Sequence, residues 1–94
     1  MRSIEYSKSF KKDYKRIKAT PRHRRDIDDL LGGVLDLLVI DEALPLNKKD
    51  HYLVGNWSGY RECHIKPDLL LIYKQPEDPI LRLARLGSQS ELFR

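Results

Sequence analysis

Only one cysteine occurs among 94 residues, and that shortage closes off a class of protein. A single thiol, Cys63, excludes an internal disulfide and gives no sign of an oxidising compartment. His64 follows it directly, but neighbouring strand residues point to opposite faces, so Cys63 reads as a core thiol and not as half of a Cys/His nucleophile pair. Long apolar runs are absent too: 34–40 and 69–73 fall far short of the ~20 residues that span a bilayer. Met1 leads straight into Arg2 and Glu5 with no apolar stretch behind them, so no signal peptide is expected and the location is read as cytoplasmic, without a membrane partner. Nor is there a phosphate-cradling Gly-rich loop, a nucleophile elbow, or an HExxH or CxxC spacing. His23, His51 and His64 are too scattered to predict a metal site, and neither metal nor cofactor is expected.

What is present is charge and a moderate apolar fraction. Charged residues make up 34% and hydrophobic ones 40%, which suits one compact domain over residues 1–94. The net charge is +4, unevenly spread. Residues 1–25 hold ten Lys/Arg against Glu5 and Asp13, whereas residues 26–50 hold Lys48 and Lys49 against seven acids. A basic end of this kind attracts phosphate backbones independently of sequence. Lys8, Lys11, Lys12, Lys15, Arg16 and Lys18, then Arg22, Lys49, Arg61 and Lys66, are the candidate cations for an RNA or ribosomal surface.

The fold class read from the order of elements is α+β, an N-terminal helical hairpin packed on a small antiparallel sheet. A short strand is expected over 2–6, then Ser7 as N-cap of a helix over 8–19 with Phe10, Tyr14 and Ile17 on its inner stripe. After Thr20-Pro21 a second helix is expected over 23–40, where Ile27, Leu30, Leu31, Val34, Leu35 and Leu38 keep helical spacing and Gly32-Gly33 allow a bend. Residues 47–59 read as irregular. Strands follow over 60–66, 69–74 and 80–87, joined by turns at Pro67-Asp68 and over 75–79, as a meander. The last strand has no assignable faces, because Leu81 and Leu83 oppose Ile80, Ala84 and Leu86 in parity.

Cleaving RNA requires none of the missing devices. The 2′-hydroxyl is an internal nucleophile, so a protein need supply only a base, an acid and positive charge for the phosphorane. Those groups concentrate in the second half. His51 lies in the loop before the sheet, His64 on a strand with Asp68 in the turn beyond it, and Arg85 near the end of the last strand. Trp57, Tyr60 and Phe93 offer surfaces for stacking unpaired bases. Each also has a plainer role open to it: Asp68 as a turn residue, Arg85 as an edge charge, Trp57 as a lid on the core.

The segments Lys49-Asp50-His51, Gly55 to Asp68 (GNWSGYRECHIKPD), Leu71-Ile72-Tyr73 and Arg85 to Phe93 (RLGSQSELF) together resemble the YafQ toxins of the RelE/ParE superfamily. That resemblance implies a RelE-like fold and a metal-independent endoribonuclease cutting messenger RNA in the ribosomal A site to leave 2′,3′-cyclic phosphate and 5′-hydroxyl ends. It implies a preference for adenine-rich lysine codons, and inhibition by a DinJ-like antitoxin in a larger assembly, a heterotetramer built on an antitoxin dimer. Carried over by position, the active-site members are His51, His64, Asp68, Arg85 and Phe93. Two positions depart from the family pattern: Leu69 stands where tryptophan is common, and Gln89 stands in place of a histidine that serves in acid–base catalysis. Glutamine does not exchange a proton near neutral pH, so attenuated cleavage is expected. A ParE-like gyrase inhibitor and a non-catalytic nucleic-acid-binding module are the alternatives open to the sequence.

Overall fold

The computed structural model describes residues 1–76 and 79–93. The first helix forms where its signals place it. Ser7 leads α1 (Lys8–Ala19), its Oγ accepting the Phe10 amide at 2.9 Å while donating to the Ala84 carbonyl at 2.7 Å. Phe10 and Ile17 are buried on the inner face, and so is an acid, Asp13.

The second helix, α2 (Ile27–Val39), starts four residues later than its apolar periodicity suggests, because residues 21–26 are held as turns. Lys66 holds them, reaching the Arg22 carbonyl at 3.0 Å, Nδ1 of the buried His23 at 3.1 Å and Asp26 at 2.8 Å. Asp28 and Asp29 then complement the positive end of the helix, which runs unbroken through Gly32 and Gly33. Asp28 also ties the helical pair together through Tyr14 and Lys18.

Five strands form one sheet: β1 (Ser3–Tyr6), β2 (His51–Tyr52), β3 (Arg61–Lys66), β4 (Leu69–Lys74) and β5 (Ile80–Gly87), in the order β1-β5-β4-β3-β2. A four-residue helix, α3 (Gln89–Leu92), ends the described chain. The expected meander is β3-β4-β5. At its far edge β1 lies parallel to β5, from Ser3 opposite Ile80 to Tyr6 opposite Leu83, so the sheet is mixed. A parallel neighbour needs a long crossover, and here the helical pair is part of it. The expected 75–79 turn falls partly on residues 77–78, outside the described residues. The segment read as irregular contains β2 and two short 3-10 turns, Leu46–Lys48 and Gly55–Trp57.

One feature of β5 decides which way its side chains face. Tyr73 pairs with Leu83 while Ile72 pairs with Arg85, leaving Ala84 as an extra residue, a bulge. The bulge restores the phase, so Leu81, Leu83 and Leu86 all join the core beneath the helices with Phe10, Ile17, Ile27, Leu31, Val34 and Leu38. Ala84 joins Leu70, Ile72 and Leu92 in a smaller apolar cluster, against which Leu53, Trp57 and Tyr60 pack.

Candidate active site

Register assembles the candidate groups before any side chain is considered. His51 pairs with Glu62, Glu62 with Ile72, and Ile72 with Arg85, one row running across four strands. Directly paired residues stand side by side on the same face, and Ile72 belongs to the cluster on the face away from α1 and α2. His64 pairs with Leu70 in the adjacent row and therefore shares that face.

The two imidazoles meet at Glu62. Its Oε1 is 3.8 Å from Nε2 of His51 and 3.8 Å from Nε2 of His64, and the glutamate is only 8% exposed. Nδ1 of His51 lies 2.8 Å from the Lys49 carbonyl oxygen. A carbonyl can only accept, so Nδ1 carries the proton and the neutral ring has its lone pair on Nε2. Lys49 holds its carbonyl there from a left-handed backbone conformation with φ 51°, unusual for a residue with a side chain.

Arg85 stands in the same row, but its guanidinium is gripped from α1. Nε donates to Oδ2 of Asp13 at 2.7 Å and Nη2 to Oδ1 at 3.2 Å. Burial of Asp13 works to raise its pKa, yet the hydrogen bonds from Arg85, the Leu86 amide and Arg16 outweigh it and hold the carboxyl below its ordinary value.

Asp68, expected beside His64, sits in the β3–β4 turn and forms its ion pair with Arg22, Nη1 to Oδ2 at 3.2 Å. It lines a cleft of about 250 Å³ with Arg16, Thr20, His23, Ser88 and Glu91. Gln89 and Phe93 are exposed at the start of α3 and just beyond its end. Trp57 and Tyr60 contact edge to face at 5.2 Å and pack on the small apolar cluster, so the tryptophan is half-buried rather than a free platform.

The candidate cations divide into two sets. Lys8, Lys11, Lys12 and Lys15 are exposed on α1 and form no ion pair among the described residues. Lys49 is also exposed and lines a cleft of about 250 Å³ with Asn47, Lys48, His64 and Lys66. Lys18 is paired with Asp28, Arg22 with Asp68, Lys66 with Asp26, and Arg16 with both Asp13 and Glu91. Arg61 is the most committed. Nη2 meets Asp50 at 2.6 Å, Nε meets the Tyr73 hydroxyl at 3.2 Å, and the guanidinium lies over the Tyr52 ring at 4.2 Å. The hydrogen bond to Asp50 raises its pKa further. Cys63 is buried, and desolvation pushes its thiol up to about 12, which removes it as a nucleophile.

Two functional candidates escape a reading of the sequence. Glu62 had a usable signal, since it alternates with His64 at i, i+2 and must share its face. Asp13 had one too: an acid at i+3 from Phe10 falls inside the apolar stripe of α1, where an unpaired charge is not tolerated.

A family model described as a bacterial toxin of type II toxin-antitoxin systems, YafQ, matches residues 2–94. The chain is 42% identical to the mRNA interferase toxin YafQ of Escherichia coli, over 98% of this chain and 96% of that protein. Its fold superposes on a crystal structure of YafQ from Escherichia coli strain BL21(DE3) with a TM-score of 0.85 at 40% identity, covering 100% of both chains. Against the toxin in the Escherichia coli DinJ–YafQ complex the TM-score is 0.82 at 39% identity, again over 100% of both.

Proposed function

This chain belongs to the YafQ family of bacterial type II toxins, and from that premise we propose that it is an mRNA interferase, an endoribonuclease working through His51, Glu62 and His64. The observation that carries the mechanism is the pair of imidazole Nε2 atoms flanking one carboxylate on the sheet face away from the helices. Nε2 of neutral His51, its lone pair free, takes the proton from the 2′-hydroxyl, which attacks the adjacent phosphorus. Glu62 accepts an N–H from whichever ring carries the proton. Arg85 presents the N–H donors that Asp13 leaves unused to the phosphorane oxygens, a charge-assisted contact. His64, beside Glu62, is the candidate donor to the leaving 5′-oxygen. The products are a 2′,3′-cyclic phosphate and a 5′-hydroxyl. Gln89 is unable to share that acid role, so the chain cuts slowly.

The substrate is mRNA on the translating ribosome, in the A site, and the place of action is the cytoplasm. A shallow surface with two imidazoles holds a flexible strand poorly for in-line attack, and the ribosome supplies the alignment. The exposed lysines of α1 suit the phosphates of ribosomal RNA, and Lys49 beside His64 suits those of the message. The DinJ–YafQ complex supports an antitoxin of the DinJ kind as the partner; a heterotetramer on an antitoxin dimer is the assembly we expect. No helix among the described residues is long and apolar enough to cross a membrane.

Mapping 5′ ends in cells expressing the chain tests this. In-frame cuts within translated messages, lost when initiation is blocked, are expected. Intact mRNA together with double-strand breaks in DNA would replace the nuclease with a gyrase inhibitor.

A further inference from the structure

Asp13 is a buried acid of α1 whose carboxylate is fully engaged by donors among the described residues. It is 3% exposed and lies on the inner face of α1. Four donors converge on it: Nε and Nη2 of Arg85 at 2.7 and 3.2 Å, the Leu86 amide at 3.0 Å and Nη1 of Arg16 at 3.1 Å. Topology explains why a helix residue meets a strand here. β1 ends at Tyr6, opposite Leu83, so the last turn of β5 has no strand on that side and its edge is open. α1 takes over, with Ser7 on the Ala84 carbonyl, Asp13 on the Leu86 amide and Arg16 on the Leu86 carbonyl at 3.4 Å.

An edge cover alone needs only the amide bond. Asp13 does more, since its carboxylate takes the Nε/Nη2 side of the Arg85 guanidinium in a forked pair, which fixes the plane of the group and leaves its other side for a ligand. The same carboxylate is linked through Arg16 to Glu91, at 3.3 Å, whose Oε1 accepts the Ser88 amide at 2.8 Å and closes the capping box of α3. α3 carries Gln89 and leads into Phe93.

We propose that Asp13 is a positioning residue, which holds the Arg85 guanidinium at the phosphate end of the His51–Glu62 row and registers α3 against the same point. This rests on the nuclease reading above for its consequence, but not for its geometry. An edge contact needs no arginine as its second partner, whereas a guanidinium held in one plane suits forked recognition of a phosphate.

The test is a double-mutant cycle on purified translating ribosomes. Asp13→Asn keeps the shape and removes the charge. It is expected to lower kcat by about 10- to 100-fold, the scale of a misplaced group, with KM for ribosomes unchanged. In an Arg85→Ala background the same change should cost less than about 2-fold, because there is no guanidinium left to position. Equal losses in both backgrounds would mean that Asp13 merely stabilises the fold, and would overturn the proposal. A second measurement needs neither variant nor cleavage. In the intact chain the Nε–Hε proton of Arg85 should exchange with water at least 10-fold more slowly than those of the exposed Arg24 and Arg25; equal exchange would show that the pair does not form, and would also overturn it. If the unaltered chain fails to cut mRNA, the nuclease reading falls, and the exchange measurement still decides whether Asp13 holds Arg85.

Discussion

Nδ1 of His51 is 2.8 Å from the carbonyl oxygen of Lys49, two residues back, and this contact sets which nitrogen of the ring is free to act. Neutral imidazole has one donor and one acceptor. With the donor spent on the backbone, the acceptor is Nε2, which lies on the side of Glu62 and His64. His51→Asn, which retains a donor near the Nδ1 position and deletes Nε2, is therefore expected to fold normally and to lose about 10²- to 10⁴-fold in kcat, the usual range for a general base. Single-turnover cleavage on programmed ribosomes measures it. An active Asn variant would remove His51 from the base role.

Gln89→His is expected to act in the opposite direction. Position 89 opens α3 and is exposed, so a larger ring meets no packing obstacle, and an imidazole there adds a proton donor near neutral pH. Cleavage should rise by about 10²-fold, and growth arrest on expression should be stronger. Equal toxicity of the two forms would show that position 89 takes no part in proton transfer.

The α1 lysines should affect docking and not chemistry. Replacing Lys8, Lys11, Lys12 and Lys15 by alanine removes four exposed charges that form no ion pair among the described residues. KM for ribosomes should rise by at least about 10-fold with kcat unchanged, and the salt dependence of binding should flatten, since fewer counterions are released. A fall in kcat alone would show that these lysines reach the reacting phosphate.

His23 gives stability a pH dependence on the acid side. It is buried, and desolvation, with Lys66 and Arg22 nearby, lowers its pKa from the ordinary 6.5. The folded state therefore holds the ring neutral, its Nδ1 accepting from Lys66 at 3.1 Å, while the unfolded chain protonates it. That contribution is fully present above about pH 6.5 and declines as pH falls below it, as the unfolded state binds the extra proton. Thermal midpoints measured between pH 7.5 and 5 should drop, and His23→Gln, which retains an acceptor without titrating, should flatten the decline. A parallel curve for the variant would assign the pH dependence to other groups.

What could be read along the chain is what local chemistry specifies. Ser7 caps α1 because its hydroxyl reaches the Phe10 amide three residues on, and Phe10, Tyr14 and Ile17 line one face because the helical repeat places them there. The same holds for Pro67-Asp68 as a turn and for the apolar run of β4. The apolar period carries α2 back toward His23, whereas the contacts that stop it, from Lys66 to Arg22, His23 and Asp26, come from a strand some forty positions away.

The candidate site divides along the same line. Histidines 51 and 64 and Arg85 stand out in the sequence as residue types suited to phosphodiester chemistry, and the motif resemblance selects the same residues. Their partners are set by the tertiary structure: Glu62 rather than Asp68 beside the imidazoles, Asp13 on Arg85, Arg22 on Asp68. The parity of β5 was equally undecidable, because the bulge at Ala84 exists only in the pairing with β4. Helical period, caps and turns arise between residues a few positions apart and are written in any short window. Register, ion pairing and burial arise between residues that meet only once the chain has closed on itself.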